Sequence, residues 1–258
     1  MKYRAFIERL ARQAGVIMRR HFSDEIVKDW KKDSTPVTIA DKQINSLVVK
    51  AIRKAYPQHG ILAEEGGSIH TDAEYLWVCD PIDGTLPYSH AIPTSAFSLA
   101  LVRDGGPIIG VLYDPFIDRL YYAEKNKGAT LNGRRIHVAT ARTINRKVIG
   151  SVVWPNAPIN LVKINDQLFR DGAYALNAVV TTYFGMLVAS GQLIANIFPG
   201  ANPWDTAAQK IIIEEAGGYV TDFHGKKQRY DRATHGMLAA CNPTIHKKVL
   251  SLVRSTYA

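Results

Sequence analysis

The chain holds only two cysteines in its 258 residues, Cys79 and Cys241. They form no CxxC pair, so neither a disulfide framework nor a thiolate metal site is expected. Eight histidines are scattered without HxH or HxxxH spacing, which argues against a histidine-held zinc ion. Long apolar runs are also missing. The first 22 residues carry basic side chains at every turn, so they resemble neither a secretion signal nor a membrane span, and the expected location is the cytoplasm, with no membrane partner. No repeat of fixed period, low-complexity tract or Pro/Ser-rich linker divides the chain. Acidic residues are the minority, 23 against 32 Lys and Arg, giving a net charge of +9. That balance attracts anions of several classes, from phosphate esters to nucleic acid. No solid basic block or interleaved aromatic stripe marks a nucleic-acid surface, so no nucleic-acid partner is expected and a nucleic-acid-binding module stands only as the rival reading.

What is present is a patterned globular sequence, 47% hydrophobic. Tyr3, Phe6, Ile7, Leu10, Ala14, Ile17 and Met18 fall at helical spacing. A second helix is predicted after Pro36, with Ile44, Leu47, Val48, Ala51, Ile52 and Ala55 on one face. Its start is marked by Thr38 and Asp41 at capping-box spacing, and it stops before Tyr56-Pro57. Short apolar runs then follow at 61–63, 75–79, 96–102, 108–113 and 120–123, predicting a mostly antiparallel sheet with Gly105-Gly106 as a hairpin turn. Beyond residue 140, strand runs at 148–153, 193–198, 219–220 and 237–240 alternate with helical stretches near 181–190, 204–216 and 243–254. The expected division is an N-terminal α+β region over 1–140 and a C-terminal α/β region over 141–258.

The minority charge carries the chemistry. Glu64-Glu65 and Asp80-Pro81-Ile82-Asp83-Gly84-Thr85 each close an apolar run, and strand ends are where sheets place reactive groups. Trp204-Asp205-Thr206-Ala207-Ala208 adds a carboxylate at a helix start. Asp80 and Asp83 can share one cavity with the Ile82 carbonyl between them. Carboxylates plus a carbonyl are hard oxygen ligands, suited to Mg²⁺ or Mn²⁺. Gly84 lets the backbone approach a phosphate closely.

The order Asp41, Glu64-Glu65, DPIDGT at 80–85 and WDTAA at 204–208 resembles the inositol monophosphatase superfamily of magnesium-dependent, lithium-sensitive phosphatases. VTIAD at 37–41, AEEGG at 63–67, GVLYDP at 110–115, GATLNG at 128–133 and IIIEEAGG at 211–218 extend the resemblance over nearly the whole chain. It implies an α/β (α+β) fold, a layered αβαβα sandwich of the sugar-phosphatase type, and a homodimer. It also implies a metal-dependent phosphoric monoester hydrolase holding two or three Mg²⁺, for which Mn²⁺ can substitute. Glu65, Asp80 and the Ile82 carbonyl would hold one ion, and Asp80, Asp83 and Asp205 a second. Glu65 and Thr85 would orient the attacking water with help from Asp41, while Asp83, Gly84, Thr85 and Asp205 would bind the phosphorylated substrate.

Three departures bear on the substrate. Leu86-Pro87-Tyr88 replaces the family's usual residues after DGT, and Phe198 stands where inositol-specific members carry an acid. The stretch 176–182 also lacks the family's Arg and Gly. An inositol-1-phosphate-type or related sugar phosphate is the first expectation. Histidinol phosphate, 3′-phosphoadenosine 5′-phosphate and fructose 1,6-bisphosphate remain open, with His90 and Phe198 as the leaving-group residues to watch.

Overall fold

The computed structural model describes residues 2–32 and 34–256. In chain order the elements are α1 Lys2–His21, β1 Lys28–Trp30, β2 Pro36–Thr38, α2 Ile39–Ala55, β3 Gly60–Ala63, β4 Tyr75–Asp83 and α3 Thr85–Tyr88. The first sheet continues with β5 Ala96–Arg103, β6 Gly106–Asp114, β7 Arg119–Glu124, β8 Gly128–Leu131 and β9 Arg134–Arg135. Then come β10 Val148–Val152, α4 Leu161–Arg170, β11 Tyr174–Ala178, α5 Thr181–Ala189 and β12 Ala195–Phe198. The chain finishes with α6 Pro203–Glu215, β13 Tyr219–Thr221, β14 Met237–Ala240 and α7 Pro243–Arg254.

Seven strands form one sheet in simple order from β3 to β9, antiparallel throughout except for the parallel β3–β4 pair. Five strands form the other in the order β11-β10-β12-β14-β13, with β10 parallel to both its neighbours. The two-residue side-chain period of each strand decides the layering. On β4, Trp77 and Cys79 face a core shared with Phe6, Leu10, Ile44 and Val48 of α1 and α2, while Leu76 and Val78 face a core built with α5 and α6. On β14, Met237 and Ala239 face that same middle layer, whereas Leu238 and Ala240 face Leu168, Val249 and Val253 of α4 and α7. The result is a layered αβαβα sandwich in which α5 and α6 are buried between two sheets. The α6 sequence reflects this position, since Ala207, Ala208, Ile211, Ile212 and Ile213 are all buried and leave no polar stripe. No helix among the described residues is long and apolar enough to cross a membrane.

The expected cap of α2 is present in full: Thr38 accepts from the Asp41 amide, and Asp41 Oδ2 accepts from the Thr38 amide at 2.8 Å. One turn differs from expectation. The β5–β6 hairpin turns on Asp104 (φ 54°) and Gly105 (φ 77°), and Gly106 already pairs with Arg103 as the first residue of β6. Two consecutive left-handed residues match the strand twist, and Asp-Gly supplies them more readily than Gly-Gly followed by Pro107. Several motif blocks serve the fold. Asn132 (φ 47°) and Gly133 (φ 79°) make the turn between β8 and β9, and Glu215 of IIIEEAGG accepts from the Asn126 and Gly128 amides at 2.7 and 2.6 Å.

His246 on α7 is buried at 2.8 Å from Thr221 Oγ1. Burial, then the charge of Arg254, pushes its imidazole pKa down to about 4. The folded chain therefore resists a proton that the unfolded chain accepts near pH 6.5, so this site costs stability as pH falls from about 6.5 toward 4. We predict that, in urea denaturation between pH 7 and 4, wild type loses about 2 kcal/mol relative to His246→Gln over that interval. Identical pH profiles for the two proteins would contradict the assignment.

Candidate active site

The acidic residues arrive at one place from both halves of the chain. β4 runs straight into the site through Asp80-Pro81-Ile82-Asp83, where its pairing with β5 shifts register between Asp80 and Asp83. That irregularity lets residues three apart turn toward the same space. Gly84 follows at φ 83°, a left-handed conformation that suits glycine, and a Cβ there would lie 2.6 Å from Val180 Cγ2. Asp205 comes from the first turn of α6, which Pro203 opens. One oxygen each of Asp80, Asp83 and Asp205 lies within 4.8 Å of the others.

Their electrostatics are those of carboxylates held together against their charge. Asp80 is raised well above its ordinary pKa by burial, then by Glu64, Asp83 and Asp205. Asp205 is raised likewise by burial, then by Asp83 and Glu64. Asp83 is pushed up to about 6 by burial, although the hydroxyl and amide of Thr182 donate to its Oδ2 at 2.5 and 2.6 Å and oppose the shift. Asp80 Oδ1 is buried without a hydrogen-bond partner among the described residues. Buried anionic oxygens are expensive to leave unmatched, and three converging carboxylates with a free acceptor fit a hard divalent cation.

The other expected residues are placed unevenly. Thr85 Oγ1 stands 2.9 Å from the Ile82 carbonyl and 3.3 Å from Asp41 Oδ1. Asp41 is buried, and burial pushes its pKa up to about 7 even though Thr38 donates to it. Glu64 and Glu65 both lie outside the trio, each held by the Lys31 ammonium at 2.7 Å. The charge of Glu64 contributes to the raised pKa of all three aspartates. Strand register explains why: Ala63 pairs with Cys79, and the Glu64 amide bonds the Cys79 carbonyl at 3.2 Å, which carries Glu64 forward to the level of Asp80.

Lys31, just beyond β1, bridges Glu64 and Glu65 at 2.7 Å each. Burial lowers its affinity for a proton, yet the two carboxylates outweigh that and hold the ammonium above its ordinary pKa. A fixed positive charge here opposes a second cation. We predict that Lys31→Met lowers the Mg²⁺ concentration for half-maximal binding by at least about threefold, read by calorimetry; an unchanged or higher value would contradict this role.

Of the two residues expected near the leaving group, Phe198 ends β12 buried, with its ring 5.8 Å from that of Trp154. His90 is exposed, its Nδ1 at 2.8 Å from the Leu86 carbonyl and its Nε2 at 3.3 Å from the Lys28 ammonium. Pro87 falls inside the first turn of α3, where an amide has no intrahelical partner to lose.

The sequence profile of the inositol monophosphatase family matches residues 2–257. Among individual proteins, the Nus factor SuhB of Escherichia coli K12 is 32% identical over 255 residues, covering 95% of this chain and 93% of that protein. A fructose-1,6-bisphosphatase/inositol-1-monophosphatase of Thermotoga maritima is 33% identical over 255 residues, covering 96% and 94%. The solved structure of a Thermotoga maritima IMPase superposes with a TM-score of 0.90 at 29% identity, over 99% of this chain and 98% of that one.

Proposed function

This chain belongs to the inositol monophosphatase family, and on that premise we propose that it hydrolyses a small phosphate monoester with the help of Mg²⁺. The observation that carries the reading is the trio Asp80, Asp83 and Asp205 with its oxygens within 4.8 Å, one of them buried and unpartnered. Glu65, Asp80 and the Ile82 carbonyl are the proposed donors to one cation, with Glu64 beside them, and Asp80, Asp83 and Asp205 to a second. Bound divalent cations would neutralise the phosphoryl charge and make an attacking water more acidic.

The chain's own groups do the rest. Thr85 Oγ1 accepts a hydrogen bond from the attacking water while its own hydrogen points to Asp41 Oδ1 or the Ile82 carbonyl. Asp41, with a pKa near 7, is a base suited to take the water's proton at neutral pH. The Gly84 and Thr85 amides, exposed by the left-handed turn, receive phosphate oxygens. We place the supporting residues in a region over 1–140 and Asp205 in a second over 141–258, so the site needs both. Lithium inhibition and a homodimer are part of the same proposal, tested by LiCl titration of turnover and by sedimentation.

For the leaving group we propose a related sugar phosphate before inositol 1-phosphate itself, because Phe198 stands where inositol-specific members carry the acid that receives an inositol hydroxyl. The test is a comparison of kcat/KM for inositol 1-phosphate, histidinol phosphate, 3′-phosphoadenosine 5′-phosphate and fructose 1,6-bisphosphate. A clear preference for inositol 1-phosphate would overturn that ranking, and no turnover of any ester by folded protein with Mg²⁺ would overturn the function.

A further inference from the structure

Behind the carboxylates lies a set of uncharged polar side chains to which hydrolysis assigns no task. Thr181 opens α5, Asn196 lies on β12, and Thr206 and Gln209 lie on α6; each is at most 1% exposed. Gln209 Nε2 stands 2.5 Å from the Asp205 carbonyl and 3.2 Å from Thr181 Oγ1, and Asn196 Nδ2 reaches the same hydroxyl at 3.5 Å. Gln209 Oε1, Asn196 Oδ1 and Thr206 Oγ1 have no partner among the described residues. Half-satisfied amides oppose folding, and the other buried positions of α6 include Ala207, Ala208, Ile211, Ile212 and Ile213, apolar side chains that pack at no such cost. The seat is also shaped for this side chain, since a Cβ on Gly185 would stand 2.1 Å from Gln209 Oε1.

Both ends of the set touch the acidic trio. Gln209 holds the main chain of Asp205, while Thr181 immediately precedes Thr182, whose amide and hydroxyl both grip Asp83. Asp83 belongs to the seven-stranded sheet and Asp205 to a helix more than a hundred residues later, so their separation depends on how the first turns of α5 and α6 sit against each other. The Gln209–Thr181 hydrogen bond joins those two turns.

We propose that Gln209 is a positioning residue that ties the start of α6 to the start of α5 and so sets the spacing of Asp205 and Asp83 for cation binding. This rests on reading the trio as a divalent-cation site. Supporting groups of this kind change metal affinity about 10- to 100-fold when removed.

The test uses the full chain with Gln209→Ala, Gln209→Leu, Gly185→Ala and the Gly185→Ala/Gln209→Ala double variant. Gly185→Ala displaces the amide without altering it, and Gln209→Leu keeps the volume should the smaller side chain prevent folding. Mg²⁺ affinity is measured by isothermal titration calorimetry, beside thermal unfolding in EDTA and kcat at saturating Mg²⁺. The expected result is Mg²⁺ binding weakened about tenfold or more in each single variant, with kcat within about threefold of wild type. The double variant should be no weaker than the worse single one, because both changes act through one tie. Unchanged Mg²⁺ affinity in folded Gln209→Leu and Gly185→Ala, with only the melting temperature lowered, would overturn the proposal, as would wild type that binds no Mg²⁺. Wild type whose Mg²⁺ affinity depends on Gln209 but which releases no phosphate would support the tie and refute the hydrolase reading alone.

Discussion

Asp205→Asn and Asp83→Asn each lower kcat/KM for Mg²⁺-dependent phosphate release by about a thousandfold, equivalent to ~4 kcal/mol of transition-state stabilisation. The size follows from what the amide cannot do. It keeps the shape and one oxygen of the carboxylate but loses the charge that offsets a divalent cation, and both residues sit within 4.8 Å of Asp80. Asp83 has a second duty that Asn can retain, since its oxygen accepts from the Thr182 amide and hydroxyl. Melting temperatures in EDTA should therefore not fall below wild type while turnover collapses. The check is steady-state phosphate release at saturating Mg²⁺ alongside thermal unfolding; near-normal turnover in either variant would remove that residue from the proposed ligand set.

Asp80→Asn makes the metal-free protein more stable and the Mg²⁺-loaded protein less stable than wild type. In EDTA, Asp80 is a buried carboxylate raised well above its ordinary pKa by burial and by the charges of Glu64, Asp83 and Asp205. A group whose pKa is raised on folding contributes its stability below the unfolded value near 4 and loses it as pH climbs through the folded value. Wild type in EDTA should thus weaken as pH rises from about 4 toward 7, the interval in which Asp83 also titrates, near 6. Neutralising Asp80 removes most of that slope and raises stability at pH 7.5 by about 1 to 2 kcal/mol, or ~2–6 °C. With Mg²⁺ at a hundred times its dissociation constant, wild type gains about 2.7 kcal/mol and the variant much less. The reversal between buffers distinguishes a cation site from a structural cluster. A variant less stable than wild type in both buffers would contradict this account.

Legibility from sequence followed the strength of the local signal. Helix α2 was readable to its cap because Thr38, Asp41 and the Ile44-Val48-Ile52 stripe all say the same thing. Strands β3 to β7 of the first sheet were readable because most of their positions are buried, whereas the short β8 and β9, half-buried and exposed, were not. Helix α4 has the needed signals, with Asn160 as its cap and Leu161, Ile164 and Leu168 buried, yet it is only ten residues long and follows an irregular Trp-Pro-Asn-Ala-Pro stretch. Edge strand β11 is half exposed along its length, so no period of two marks it. At the site, chain order was enough to place Asp80, Asp83 and Asp205 together. It did not foresee that Lys31 spans both Glu64 and Glu65. Gln209 was hidden in a run that reads as plain core. Its importance comes from Thr181 and Gly185, residues distant in sequence.

The most direct measurement is a Mg²⁺ titration of the purified full-length chain, following calorimetric heat and phosphate release from a sugar phosphate in the same buffer. The account predicts saturable Mg²⁺ binding, turnover that rises with occupancy, and loss of both in EDTA and in Asp205→Asn. Folded wild-type protein that binds no Mg²⁺, or that releases phosphate equally well in EDTA, would contradict it.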